Sequence, residues 1–411
     1  HLIGRLRLAT TDAPPPVTAG MPAEISAALA LAAPRRTDDQ RAALAAFVMR
    51  EQVSRALAAL PPPSLIYAGA SDFEPDGNLK PALQPREVRV LKRGDILQPL
   101  ELAQPAALSC VAVPFVVENG VDESARRVAL ARWLSHKDNP LTWRSIVNRV
   151  WHYHFGRGLV ETPNDFGHMG GAPSHPELLD WLAVWFRDEA HGSLKALHRL
   201  IVTSETYQQS ASAADSVEFM RNTASDPDNK LLWRHNRTRL DAESVRDTVL
   251  AISGQLDLRM GGPSDRQFDL QPGIHVTPRV DYAKFDPDSD AGRRRSVYRF
   301  LFRTLPDPMM DALDCPAGDQ LTPVRNGSVT VQQALALWNS AFIGRQAGHC
   351  AVRVANEAST LEAQIVRLFA LALSRSPRAE EAADFRAYID KHGLANACRV
   401  MLNSNEFLFV E

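Results

Sequence analysis

Residues 139–158 read Asn139-Pro140-Leu141-Thr142-Trp143-Arg144-Ser145-Ile146-Val147-Asn148-Arg149-Val150-Trp151-His152-Tyr153-His154-Phe155-Gly156-Arg157-Gly158, and this stretch decides the fold. Asn139 is a side-chain acceptor set before a first-turn proline, a pairing that starts helices. Gly156 can close the helix, because glycine enters the left-handed region without a Cβ penalty. Over 141–154, Trp143, Ile146, Val147, Val150 and Trp151 recur at helical spacing and form a core-facing side. Ser145, Asn148, Arg149 and His152 make a second stripe at spacings of three and four, so they can be presented together.

The same punctuation continues outward. Ser174-His175-Pro176-Glu177 has the form of a capping box opening a helix over 175–190, and Ser193 starts another running to about Thr203. Asp241 is placed to cap 242–253, which Gly254 ends; further helices fit 330–342, 344–356, 361–374, 377–391 (opened by Ser376-Pro377) and 394–403. Upstream, 22–33 and 38–59 are Ala/Leu-rich and helical by period, and stop at Pro61-Pro62-Pro63. Short apolar runs such as Leu65-Ile66-Tyr67 and Val88-Arg89-Val90-Leu91 then predict two or three short strands over 64–117. Ile3 to Leu8 alternates like the last strand of a preceding β module, followed by a linker at Pro14-Pro15-Pro16. Residues 257–329 are rich in Gly, Pro, Asp and Arg with little period, and a loop of that length is usually functional or loosely ordered. The expected fold is mainly α: a large irregular multi-helix domain over 120–411, a helical segment plus short strands and extended connector over 21–119, and the end of a β module over 1–20. The two helical parts of 120–411 are expected to pack together, with 257–329 wrapping over them.

Composition narrows the class. The chain has 411 residues, 45% hydrophobic and 23% charged, as in ordinary globular proteins. A net charge of -2 offers no nucleic-acid or anionic-membrane surface, and no run of 18 apolar residues exists to span a bilayer. The sequence begins without Met or a signal-peptide pattern, so it is expected to start within a longer protein. Cys110, Cys315, Cys350 and Cys398 are widely spaced, with no C-x-x-C or C-x-x-C-H, which leaves no zinc knuckle and no covalent haem site in this chain. They fit either a reducing compartment or an exported protein with one or two bridges.

The polar residues around 148–175 admit two readings. In the functional one, Arg149, His152, Asp165 and His175 are candidate catalytic groups lining one pocket, with Asn148, Arg149, His154, Arg157, Asp165, Glu177 and, on the later helix, Arg246 as candidate binding residues. In the structural one, Asn148, Arg149 and Asp165 fix the following loop, as buried polar groups need partners in any case. On that reading Asp165 pairs with Arg149 or Arg157, and Arg149→Ala would cost roughly 3–5 kcal/mol if the pair is buried. An open pocket lined by Arg149, His152, Asp165 and His175 favours an enzyme; burial and mutual satisfaction favour a structural or binding module. No metal is expected. His152 and His154 lie about 200° apart around a helix, and no H-E-x-x-H accompanies them. Glu243 and Asp247 share one helix instead of flanking a substrate, so Glu243 is expected to pair with Arg239 or Arg246. Ser204, Thr206 and Tyr207 lack any Gly-x-Ser-x-Gly context for a nucleophilic serine. Arg293-Arg294-Arg295 could clamp a sulfate or carboxylate, but reads first as a solvated loop.

Taken in order, Arg126-Arg127-Val128-Ala129-Leu130-Ala131-Arg132-Trp133-Leu134, Asp138 to Thr142, the 148–167 block, Ser174 to Trp181, Ser193 to Lys195, Leu197 to Ile201, Asn229 to Arg234, Leu240 to Asp247, Gly261 to Ser264 and Leu402 to Phe407 resemble one family. It is the planctomycete cytochrome-associated family called domain of unknown function 1553, and the resemblance covers about residues 120–411. Residues 65–110 are similar to the segment that commonly precedes this domain. The resemblance implies a biochemically uncharacterised module of an exported (periplasmic or cell-surface), carbohydrate-related multidomain protein. It also implies that haem would sit on a cytochrome c-like domain outside this chain, and that carbohydrate or that domain is the partner. A structural or binding role is expected, with an enzyme on polysaccharide-derived sugars as the alternative.

Overall fold

The computed structural model of the chain describes residues 21–60, 73–75, 77–78, 80–81, 84–118, 122–211, 216–273 and 278–410. The strand expected at Ile3–Leu8 and the run Leu65–Tyr67 lie outside the described residues. The protein is mainly α, with sixteen helices and six short strands among the described residues. In chain order the helices are α1 (Ala23–Ala30), α2 (Asp38–Ala58), α3 (Glu123–Leu134), α4 (Pro140–Phe155), α5 (Pro176–Asp188), α6 (Leu194–Val202), α7 (Val217–Ser225) and α8 (Ala242–Ile252). They continue with α9 (Asp290–Arg293), α10 (Pro308–Ala312), α11 (Val331–Asn339), α12 (Ala341–Glu357), α13 (Leu361–Leu373), α14 (Ala379–His392), α15 (Leu394–Met401) and α16 (Asn405–Leu408). The strands β1 (Arg89–Leu91), β2 (Pro99–Leu102), β3 (Thr238–Arg239), β4 (Asp269–Gln271), β5 (Arg279–Asp281) and β6 (Phe409–Val410) form three separate antiparallel pairs, β1–β2, β3–β6 and β4–β5.

The chain divides into two compact units, His1–Arg86 and Glu87–Glu411. In the first, α1 packs on α2, and Arg36 closes the turn between them by donating to Ala28 O (2.9 Å) and Leu31 O (3.1 Å). Thr37 and Gln40 form the capping box of α2. The β1–β2 hairpin falls in the second unit, with the long helical part, although the sequence grouped it with 21–86.

The second unit has two main apolar clusters. α4, α5 and α6 enclose one, built on Val147, Phe155, Leu182, Leu197 and Ile201. α8 and α10 to α16 enclose the other, built on Val245, Val249, Leu337, Ile343, Leu368 and Phe369. Where they meet, the links are polar: Asn236 Nδ2 donates to Phe155 O at 3.1 Å, and Gly156, left-handed at φ 74°, lies beside Thr238. β3 then pairs with β6, tying the start of the second cluster to the chain's last helix. A further node sits at Asp314, which accepts from Arg239 (3.2 Å), Ser328 N (3.0 Å) and Gln333 (2.9 Å).

Several local expectations shift. α4 starts and ends as its caps require, with Asn139 Oδ1 accepting from Leu141 N at 3.1 Å. Ser193 and Asp241 also cap as expected. The box at 174–177 does not form. His175 is the N-cap of α5 and makes no side-chain cap, because the helix begins one residue later, at the proline whose fixed φ suits a first turn. α14 likewise opens at Ala379, with Glu381 accepting the Arg378 N–H at 2.7 Å, leaving Ser376 and Pro377 outside. Ser340 caps α12, so the break between α11 and α12 falls at 340.

Candidate functional site

The signature block is held together, not opened. Asn148 is fully buried, and its amide bridges the loop after α4 by donating to Val160 O (2.9 Å) and accepting from Val160 N (2.8 Å). Gly158 passes so close that an added Cβ would stand 2.8 Å from both Asn148 side-chain heteroatoms. Arg149 reaches Asn164 Oδ1 at 2.6 Å, and Arg157 pairs with Glu161 at 2.7 Å. The expected pairing of Asp165 with Arg149 or Arg157 is therefore corrected. Asp165 Oδ1 instead accepts the Gly167 N–H at 2.8 Å, because a carboxylate two residues ahead of a glycine finds that amide within its own turn. His175 Nδ1 lies 3.0 Å from Ser174 Oγ, and Glu177 is exposed on the first turn of α5.

The histidines separate by environment. His152 is buried, its Nδ1 has no hydrogen-bond partner among the described residues, and burial together with the Arg149 charge lowers its pKa. His154 Nε2 lies 2.8 Å from His198 Nδ1, a contact between α4 and α6 that no local spacing announces. Its pKa is lowered too, first by burial and then by His198. Among the described residues no group of three or more His, Cys, Asp or Glu is placed to hold a metal. The small cavity beside the block, about 150 Å³, is lined by Arg157, Glu161, Ser174, Asn229 and Asn236 among others, and by none of Arg149, His152, Asp165 and His175.

A larger recess lies around Arg246. The sequence offered Arg246 as a candidate binding residue; it is only 3% exposed, and Leu250 one turn on is fully buried. The reason is that residues 257–273 and 278–307 fold over α8. Arg246 donates to Gly292 O (2.6 Å) and Arg294 O (2.9 Å), while Asp247 Oδ1 accepts from Ser296 N and Ser296 Oγ, both at 2.7 Å. Burial and the nearby Arg299 charge pull the Arg246 pKa down to about 10, so the guanidinium remains charged at neutral pH. Arg294 is 4% exposed and donates to Gly261 O, Pro263 O and Asp265, with Tyr298 stacked under it. The solvated loop expected at Arg293–Arg295 is thus corrected: carbonyls of the aperiodic segment need donors, and arginine supplies several from one side chain. Glu243, expected to pair with Arg239 or Arg246, instead takes Arg325 in a two-pronged contact at 2.5 and 2.9 Å.

Two cavities flank this centre and share Arg299 and Met310 in their walls. The first, about 380 Å³, is lined by Arg246, Arg299, Asp307 and the rings of Tyr282, Phe285 and Phe342, with Gln267 and Asn339 adding amides. The second, about 660 Å³, presents Asp241, Glu243, Asp247, Arg325 and Cys315. Burial first, then Glu243, pushes the Cys315 thiol up to about 11. Arg299 spans the wall, donating to Gln267 Oε1 (2.7 Å) and Asp307 Oδ2 (2.8 Å). Of the candidates read from sequence, Arg246 lines the first cavity and Arg157 the small one. Arg299, Asp307 and the three rings escaped notice, since they lie on an aperiodic segment and on the far helix α12. The only signal was the density of Arg and Asp in 257–329.

Over residues 126–389 the chain matches the family model described as PSD1: Protein of unknown function (DUF1553), and it belongs to that family. No curated protein and no solved structure matches it.

The geometry predicts unequal costs for neighbouring substitutions. Asn148→Ala strands a buried N–H and a buried C=O of Val160 and should destabilise by about 2–4 kcal/mol. Arg149→Ala loses one exposed bond to Asn164 and should cost about 1 kcal/mol or less, well short of the figure for a buried ion pair. Urea denaturation of both variants checks the order; equal losses would contradict it.

Stability should also fall on acidification. His152 and His154 bind protons less readily folded than unfolded, so the stabilisation is complete above their ordinary value of 6.5 and is lost as pH drops below it. Melts between pH 7.5 and about pH 5 should show His154→Gln with a shallower decline than the native chain. Parallel declines would show that His154 does not contribute.

Proposed function

We propose that this domain is a binding module whose ligand is a small polysaccharide-derived sugar carrying a carboxylate. The observation behind the reading is the 380 Å³ cavity, with two guanidiniums, one carboxylate and three aromatic rings in its wall. Its size lies within the range of small-molecule pockets. Arg246 is paired with Asp247 at 3.4 Å and bonded to the segment above it, whereas Arg299 gives only Nε to Gln267 and Nη2 to Asp307, so its remaining N–H groups are the donors offered to an anion. Planar guanidinium recognises carboxylate in a two-pronged manner, and the rings of Tyr282, Phe285 and Phe342 offer apolar surface to the C–H face of a sugar.

Binding is favoured over turnover because the carboxylates here are already committed. In this cavity Asp307 holds Arg299 and caps α10; in the neighbouring one Asp247 holds Ser296, Glu243 holds Arg325, and Asp241 caps α8. A general acid or base needs a proton to exchange with substrate, and each of these groups is occupied by the fold. The enzyme alternative sited at 148–175 loses ground for the same reason, since Asn148 and Asp165 serve their own loop. Among the described residues no helix is long and apolar enough to cross a membrane. The setting of the module in an exported, carbohydrate-related protein with a cytochrome c-like domain belongs to the same proposal and rests on sequence resemblance; any haem would then be carried outside this chain.

Calorimetric titration with glucuronate, galacturonate and glucose tests the reading. A uronate should bind about tenfold or more tighter than glucose, since a charge-assisted hydrogen bond contributes about 1.5–3 kcal/mol. Ala336→Trp, which fills the cavity from α11, should abolish that binding. Equal affinity for the neutral sugar, or uronate binding untouched by Ala336→Trp, would sink it.

A further inference from the structure

Cys350 on α12 and Cys398 on α15 are both fully buried in the second apolar cluster. The two helices pack against one another, both cysteines belong to the cluster buried between them, and the two thiols are near enough to perturb each other. α13 and α14 lie between them in sequence, so a bond here would close a loop around two whole helices. The other cysteines differ in setting: Cys110 is exposed, and the half-buried Cys315 thiol points to Pro316 O.

We propose that Cys350 and Cys398 are a cystine site, joined by a disulfide that staples α12 to α15 when the chain folds in the presence of a disulfide donor. The donor is glutathione disulfide or the disulfide of a thiol oxidase. A Cys350 thiolate attacks one donor sulfur, breaking the donor S–S bond and releasing one donor thiolate. The Cys398 thiolate then attacks the Cys350 sulfur of the mixed disulfide, forming the Sγ–Sγ bond and releasing the second donor thiolate. The two cysteines lose two protons and two electrons, and the donor is reduced to two thiols.

Timing follows from burial. The thiolate is the attacking species and needs access to the donor. In the folded chain both sulfurs are out of reach, and the Cys398 thiol is raised by its neighbour Cys350 and by burial. Exchange therefore precedes closure of the core, and the oxidation state set during folding is retained afterwards.

The full chain, refolded once in dithiothreitol and once in a glutathione redox buffer, tests this. Intact mass after maleimide labelling in denaturant should count four thiols in the first sample and two in the second, with a Cys350–Cys398 cross-linked peptide. The oxidised form should melt on the order of 5–10 °C higher, and Cys350→Ala/Cys398→Ala should erase that difference. Glutathione disulfide added to the folded, reduced chain should consume Cys110 while leaving Cys350 and Cys398 free. A natively folded oxidised sample with both core thiols free would overturn the proposal, as would a Cys350–Cys398 bond found only in misfolded protein.

Discussion

A guanidinium taken out of water must be given acceptors, and a chain segment without helix or sheet must be given donors; Arg246 meets both demands at once. Its site on α8 places the charge under residues 292–296, where Gly292 O and Arg294 O accept from it and its neighbour Asp247 binds Ser296. A buried ion is expensive unless fully partnered, so the segment can leave this position only by exposing or stranding a charge. Arg294 and Arg299 extend the scheme outward, to Gly261, Pro263 and Asp265 in one case and to Gln267 and Asp307 in the other. The described residues of 257–307 are thus held by arginine–carbonyl and arginine–carboxylate bonds, with little ladder pairing of their own. The cavities around Arg299 and Met310 are the space left between that segment, α8 and α12.

Much of the helical frame can be read from local rules. Asn139-Pro140 and Gly156 bound α4, Ser193 opens α6 and Asp241 opens α8, because a cap is made with amides two or three residues away. The apolar side of α4 packs as its spacing requires, with Val147 and Trp151 buried. Where two start signals compete within a few residues, local reading picks the wrong one: proline at 176 makes His175 the cap and leaves Ser174 outside. The 257–329 segment was illegible for a different reason. Its bonds join residues about 30–50 positions apart and leave no period. A run such as Arg293-Arg294-Arg295 looks solvated unless its carbonyl partners are known.

The candidate site shows the same division. The density of polar groups in 148–175 is real, but it is used internally: Asn148 bridges Val160, Asp165 turns its own loop, and Arg157 holds Glu161. The cavity with cationic and aromatic walls draws on residues spread from 246 to 342, only one of which, Arg246, stood out in the sequence. A cluster contiguous in sequence marked where the chain needed fixing, and the recess suited to a ligand was assembled from distant parts.

Amide hydrogen exchange on Arg246→Met tests the dependence of this architecture on one buried charge most directly. Methionine fits the volume and removes the donors. Protection across 257–307 should fall sharply, while α4 to α6 keep the protection they have in the native chain, because their apolar cluster does not include this segment. Unchanged protection over 257–307, or equal loss in both helical parts, would contradict the account.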